Sequence, residues 1–203
     1  MSNNLQALNL LTEQANPKMS TNQGTDLLGS FRRKLAQSRR LRALAERDPS
    51  TGLLRRSSFF ERLSPWVLQP NQPFTLCLIE LEQVQAIYRS YGSSIVEQIL
   101  GVIGGVLASS FGMADVRGRY GAAAFSVALP GVVATQCAAA VRGVLSAIAE
   151  LVFVDQEERD LSISCIAGVA DFPFDGQTIE GLCKVAERKL WLAARRGAGE
   201  VVL

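Results

Sequence analysis

The sequence predicts an α/β sandwich, a single sheet with helices packed against it. Three observations lead there. Short apolar runs bounded by turn residues alternate with longer segments of helical period. Two of those runs, Phe74 to Leu81 (FTLCLIEL) and Leu161 to Ala170, are predominantly apolar, as buried strands are. The chain has 203 residues, 48% of them hydrophobic and 20% charged, enough for one domain of ~150 residues and an extension.

The elements follow in order. Residues 1–28 are rich in Asn, Gln, Thr and Ser and read as a flexible N-terminal arm. Leu5, Leu8, Leu10 and Leu11 give it a short docking pattern. Ser30 is placed to cap a lead-in helix over residues 29–47. That helix is amphipathic and basic: Phe31, Leu35, Leu41, Leu44 and Ala45 share it with Arg32, Arg33, Lys34, Arg39, Arg40 and Arg42. Asp48-Pro49 breaks it. Ser57 to Leu63 reads as the next helix, ending before Pro65. Phe74 to Leu81 is a strand, and Gln83 to Ser90 a helix. After Gly92, Ile95, Ile99, Val102, Ile103, Val106 and Leu107 recur at helical spacing and predict one buried face. Val116 to Tyr120 and Ala124 to Leu129 flank Gly121-Ala122 as a hairpin. Thr135 to Leu151 is an Ala-rich helix, Leu161 to Ala170 a strand, Ile179 to Arg196 the closing helix, and Val201 to Leu203 a last short strand. There is no internal repeat.

Composition excludes several chemistries. With no histidine, Ser-His-Asp triads, Cys-His dyads and HExxH zinc sites are ruled out. Cys77, Cys137, Cys165 and Cys183 form no CxxC pair. They read as buried free thiols, with no metal cluster expected. A net charge of +2 makes no general case for nucleic acid or an anionic membrane. No aromatic residue sits among the arginines of residues 39–42 to stack bases. The polar N-terminus has no signal-peptide core, and the longest apolar stretch, Ile99 to Gly112, falls short of the ~20 residues of a span. A cytoplasmic protein is expected, with no separate sensor or output domain and no cofactor.

The order of segments resembles the GGDEF domain of bacterial diguanylate cyclases over roughly residues 46–203, with the domain proper taken as residues 48–203. Asp48-Pro49-Ser50-Thr51-Gly52-Leu53 with Arg56 is similar to the family's opening DxLTGLxNRR. Glu80-Leu81-Glu82 through Tyr91-Gly92 to Leu100 is similar to its DxDxFKxxND block. Arg119-Tyr120-Gly121-Ala122-Ala123-Ala124-Phe125, then Leu129-Pro130-Gly131, resembles RYGGDEF and its trailing LP. Gly168-Val169-Ala170, with Phe172-Pro173 to Asp175-Gly176, resembles the SxGxA strand and loop. Ala186-Glu187, Leu190-Trp191, Ala193 and Gly197 resemble the closing ADxALYxAKxxGRN. The resemblance implies a central mixed sheet flanked by helices, as in nucleotidyl cyclases.

The departures carry the functional expectation. In the family two carboxylates hold Mg²⁺ on GTP, and the chemistry is mostly positioning and charge stabilisation. Glu80 keeps an acid at the first metal position, but Ala123 and Ala124 replace the two signature acids. A methyl group offers a hard cation no oxygen. The second signature glycine is Ala122. The guanine-reading Asn is Tyr88, and Glu97 keeps the other guanine-reading acid behind Val96. The closing Lys and Arg, phosphate contacts in the family, are Ala194 and Ala198. The family's product-inhibition motif RxxD keeps Asp115, six residues before Gly121, but has Gly112 in place of the Arg; Arg117 and Arg142 are the candidate substitutes.

The resemblance thus implies a degenerate GGDEF domain without catalytic residues or metal, leaving a vestigial pocket of Glu80, Tyr88 and Glu97. The expected role is protein–protein interaction in a cyclic di-GMP-related pathway, regulating a motility, polarity or similar complex through the arm and basic helix. A sensor that binds cyclic di-GMP at Asp115, Arg117 and Arg142, or GTP without turnover, is the alternative. Cyclase activity is expected to be lost, with a residual enzyme as the third reading, and a homodimer is left open.

Overall fold

The computed structural model describes residues 21–69, 71–155 and 158–203, with side chains from residue 29 onward. Two units are distinguished, residues 1–45 and 46–203. In the first, helix α1 spans Thr21–Ala45. Residues 21–28, expected in the flexible arm, are therefore helical, and Ser30 lies inside the helix instead of capping it. No proline interrupts residues 21–45, and Gly24 and Gly29 each cost only about 1 kcal/mol there. The leucine pattern at Leu5 to Leu11 lies outside the described residues.

In the second unit the order is α2 (Arg56–Val67), β1 (Phe74–Leu81), α3 (Val84–Tyr91), α4 (Ser93–Ser110), β2 (Val116–Arg119), β3 (Ala124–Pro130), α5 (Ala134–Ala149), β4 (Phe153–Val154), β5 (Asp160–Leu161), β6 (Cys165–Phe172), α6 (Ile179–Arg196) and β7 (Val201–Val202). Five strands form one sheet in the order β2-β3-β1-β6-β7. All neighbours are antiparallel except β6 and β7, so the sheet is mixed. Strands β4 and β5 form a separate small hairpin.

Alternation along the central strands splits the core in two. Cys77, Ile79 and Leu81 of β1 face Ile99, Ile103 and Leu107 of α4 and Val141 and Ile148 of α5. Leu76 and Leu78 face Phe59 and Leu63 of α2 and Leu182 and Ala186 of α6. Both sides are closed by backbone approach. At Gly104 of α4 a Cβ would stand 2.6 Å from the Thr51 carbonyl oxygen, so only glycine lets the loop after Asp48 rest on the helix. All four cysteines are buried thiols.

Four details differ from expectation. Helix α2 runs through Pro65 to Val67. Trp66 packs edge-on against Phe74 at 5.4 Å, and the Ser64 hydroxyl donates to the Phe60 carbonyl, which holds the last turn despite the missing N–H. On α4, Val102 is exposed and the buried face is Val96, Ile99, Leu100, Ile103 and Leu107. That helix meets the length and composition of a membrane span, yet this face belongs to the core. Leu161 belongs to the small hairpin, and β6 starts only at Cys165.

Candidate functional site

The signature hairpin joins β2 to β3. Its turn is closed by the N–H groups of Tyr120 and Gly121, both donating to the Ala124 carbonyl at 2.8 and 3.0 Å. The sheet register sets Glu80 of β1 directly opposite Ala124. One residue on, the Leu81 N–H donates to the Ala123 carbonyl at 2.9 Å. The sequence-predicted acid and the two alanines are thus brought together at one corner of the sheet.

What gathers there is a single carboxylate facing methyl groups. Ala123 packs against the α4–α5 side of the core. Glu80 is exposed, and partial burial of its carboxyl, then the Glu82 carboxylate nearby, raise its pKa above the ordinary value. Glu82 is itself engaged, accepting from the Ser164 hydroxyl at 2.7 Å. Among the described residues no group of three or more acidic or thiol side chains converges on one point. The residues present do not fit the divalent cation that the fold family implies, because a hard cation needs several oxygen ligands.

A cation of the protein's own sits at this turn. Arg119 donates from Nε to the Gly121 carbonyl and from Nη2 to the Ala122 carbonyl, both at 3.2 Å. Its Nη1 lies 3.1 Å from Asp48 Oδ1 and 3.7 Å from Glu97 Oε2. Burial would raise the Asp48 pKa, but hydrogen bonds from Thr51 and the Arg119 guanidinium outweigh it and hold the carboxyl below its ordinary value. Beside it a cleft of about 250 Å³ is lined by Tyr88, Val96, Glu97, Arg119 and Ala122. Sequence reasoning centred on the acids and missed Arg119. No sequence signal marked it, because Asp48 and Glu97 come to its guanidinium only in the fold.

On the other face of the hairpin, the Tyr120 hydroxyl donates to Glu187 Oε1 at 2.6 Å and accepts from Arg56 Nη2 at 3.1 Å. Arg56 also stacks over the Tyr120 ring at 4.2 Å. Burial, then the bond to Glu187, push the phenol pKa well above its ordinary value. Ala194 and Ala198 are exposed at and just beyond the end of α6.

The three residues considered for cyclic di-GMP are not brought together. Asp115 Oδ2 accepts the Gly112 N–H at 2.7 Å and closes its own turn. Arg117 Nη1 donates to the Phe111 and Gly112 carbonyls at 2.8 and 3.1 Å, covering the C-terminal end of α4. Arg142 Nη2 lies 3.4 Å from the Val201 carbonyl on β7, the strand at the opposite edge of the sheet from β2. Register adds to the separation: Val201 lies level with Ala167, Ile79, Phe125 and Arg119, at the far end of β2 from Asp115. Of the proposed trio only Asp115 and Arg117 are neighbours, lining a cleft of about 310 Å³ with Arg47 and Arg62. Those two arginines are engaged as well, Arg47 with the Gly52 carbonyl at 2.6 Å and Arg62 with Glu46 at 3.4 Å.

Comparison with known proteins places this geometry. Residues 45–200 match the family model described as diguanylate cyclase, GGDEF domain. The GGDEF domain of FimX from Pseudomonas aeruginosa is 26% identical, with a TM-score of 0.71 over 77% of this chain and 98% of that one. The coiled coil and GGDEF domain of DgcB from Caulobacter crescentus, solved with c-di-GMP, is 18% identical with a TM-score of 0.80 over 89% and 97%. Diguanylate cyclase SiaD of Pseudomonas aeruginosa, solved with its activator SiaC, is 22% identical with a TM-score of 0.76 over 98% and 76%. With a family model covering three quarters of its length, a hairpin at the signature position and a shared sheet, the chain belongs to the GGDEF domain family.

Proposed function

We propose that this GGDEF domain is a non-catalytic module that works in the cytoplasm through protein–protein contact in cyclic di-GMP signalling. One observation carries the reading: at the corner where the register pairs Glu80 with Ala124, a lone acid faces methyl groups and the turn is tied by Arg119 instead. Phosphoryl transfer depends on charge stabilisation by metal, so a corner without a cation site removes its largest contribution. The reading assigns binding to the arm and basic helix, residues 1–47, supported by the exposed Phe31 and Leu41 of that helix. A relative of the same fold, SiaD, was solved with an activator protein.

Incubation of the chain with GTP and Mg²⁺ or Mn²⁺, followed by chromatography, tests the reading. No cyclic di-GMP is expected, and its appearance overturns the proposal. Calorimetry with GTP and with cyclic di-GMP tests the sensor alternative. No heat is expected at high micromolar ligand, because Arg117 is engaged with carbonyls and Arg142 is bound to the far edge strand.

A further inference from the structure

Helix α1 exposes large apolar side chains within a run of positive charge. Phe31 and Leu35 stand four apart, as in a two-stranded coiled-coil seam, and Ser38, Arg42 and Ala45 continue that spacing with a hydroxyl, a charge and a methyl. Phe31 is 63% and Leu35 42% exposed, and Leu41 and Leu44 beyond the seam are 60% and 62% exposed. The helix of 25 residues is about 37 Å long. From Phe31 to Ala45, and unlike most coiled-coil strands, its charges have one sign, Asp26 being the one acid in the sequence of the turns before. Arg32, Arg33, Lys34, Arg39, Arg40 and Arg42 all fall between Phe31 and Ala45, with no Asp or Glu among them.

Flanking positions decide pairing in coiled coils. With Phe31 and Leu35 in the seam, Arg32, Lys34 and Arg39 flank it. A second copy packed in parallel sets Lys34 against the partner's Arg39 and places Arg42 against itself in the seam. Both contacts are repulsive, and reversing the partner's direction leaves every flanking charge positive. A helix with leucines in the seam and glutamates at the flanks meets all three cations with opposite charge.

We propose that α1 docks an acidic amphipathic helix of another protein as a heteromeric two-stranded coiled coil. This rests on the reading of the chain as a binding module and names the partner's chemistry. The probe is a labelled synthetic peptide of about four heptads, with Leu in the seam and Glu at the flanks, and a counterpart with Lys at the flanks. Fluorescence anisotropy with the full chain is expected to show the Glu peptide binding at least about tenfold tighter than the Lys peptide, and more weakly as salt rises. Arg32→Glu with Arg39→Glu should reverse the preference. Phe31→Asp should abolish binding of both peptides, with circular dichroism showing each variant folded.

Equal affinity for the two peptides overturns the proposal. So does a full chain that sediments as a dimer dissociated by Phe31→Asp, or tighter binding to anionic vesicles or an oligonucleotide than to the Glu peptide. The GTP incubation is independent of all these readouts. Cyclic di-GMP production would sink the non-catalytic reading and leave the peptide result standing, whereas failed peptide binding would do the reverse.

Discussion

Carboxylates at the two ends of strand β1 stand in opposite circumstances, Asp171 on the neighbouring β6 and Glu80 on β1 itself. At the end near Phe74, Asp171 has a donor on each oxygen. The buried Thr75 hydroxyl donates to Oδ1 at 2.6 Å, and the first N–H of α5, on Ala134, donates to Oδ2 at 3.1 Å. Asp175 next to it accepts the Asp171 N–H at 2.9 Å and Lys189 Nζ at 2.7 Å. At the other end Glu80 stands across from a methyl group, its pKa raised by burial and by Glu82. Acids that hold elements together have their donors, whereas Glu80 faces no opposite charge in the register. The fold and the site are separable on one strand: packing asks for hydrogen-bond partners, whereas metal chemistry asks for clustered acids.

The largest expected effect strikes the structural end. Asp171→Ala removes a cap from α5 and one of the two acceptors of the buried Thr75 hydroxyl, the other being the Val132 carbonyl, and should cost about 2–3 kcal/mol. In a domain this size that lowers Tm by roughly 6–10 °C, measured by calorimetry. A drop of under a degree would mean that the contrast between the two ends is not energetic. Next in size is Arg119→Ala, which frees two turn carbonyls and leaves Asp48 without its cation, at about 2 kcal/mol. Urea denaturation gives the loss. Hydrogen exchange should speed up at Tyr120 and Gly121, whose N–H groups close the turn.

The structural end was more legible than the site. FTLCLIEL reads as a buried strand because both faces of β1 are covered, and β1 has the predicted bounds. Pro65 misled because a proline's local cost is outweighed when the residue after it, Trp66, has a ring to pack against. Leu161 misled because an apolar residue before a strand looks the same whether it pairs with β1 or with Phe153. At the site, the alanines at 122–124 were plain in the residue types. What no spacing could show was where the remaining charges point. Arg142 is only 21 positions after Gly121, yet the strand order carries it to β7. Arg119 takes its role from three segments that meet only in the fold.

A smaller effect is expected from restoring the acids. Ala123→Asp with Ala124→Glu sets a second carboxylate directly across from Glu80, a like-charge cross-strand pair costing about 1 kcal/mol without metal. Mn²⁺ at about millimolar concentration should recover that loss in thermal shift, as oxygen ligands begin to cluster. Cyclic di-GMP should stay undetectable in the same variant with GTP, since Tyr88, Ala194 and Ala198 are unchanged. Product formation would show that the two acids alone separate this corner from a working one.

The smallest effect is also the one whose sign divides the two ends. Burial opposes ionisation of Asp175, but the Lys189 ammonium, the Asp171 N–H and the nearby Arg188 charge outweigh it and lower its pKa. Its stabilisation is therefore complete above the unfolded carboxylate range and is lost as pH falls through the lowered folded value. Glu80 runs the other way. Its folded pKa is raised, so the folded state holds the proton more tightly than the unfolded one. The stability this brings is fully present below the unfolded glutamate value of about 4.3 and is lost as pH rises through the folded value. Glu80→Gln should change stability by under about 0.5 kcal/mol at neutral pH, as for an exposed side chain. It should also remove the decline just above the unfolded value, while Asp175→Asn removes the opposite slope at lower pH. Urea denaturation of both variants from pH 3 to pH 7, a range set by the ordinary carboxylate values, measures the two slopes. If Glu80→Gln flattened the acid-side rise as Asp175→Asn does, Glu80 would have to be paired in the folded state, and the corner would hold a cation after all.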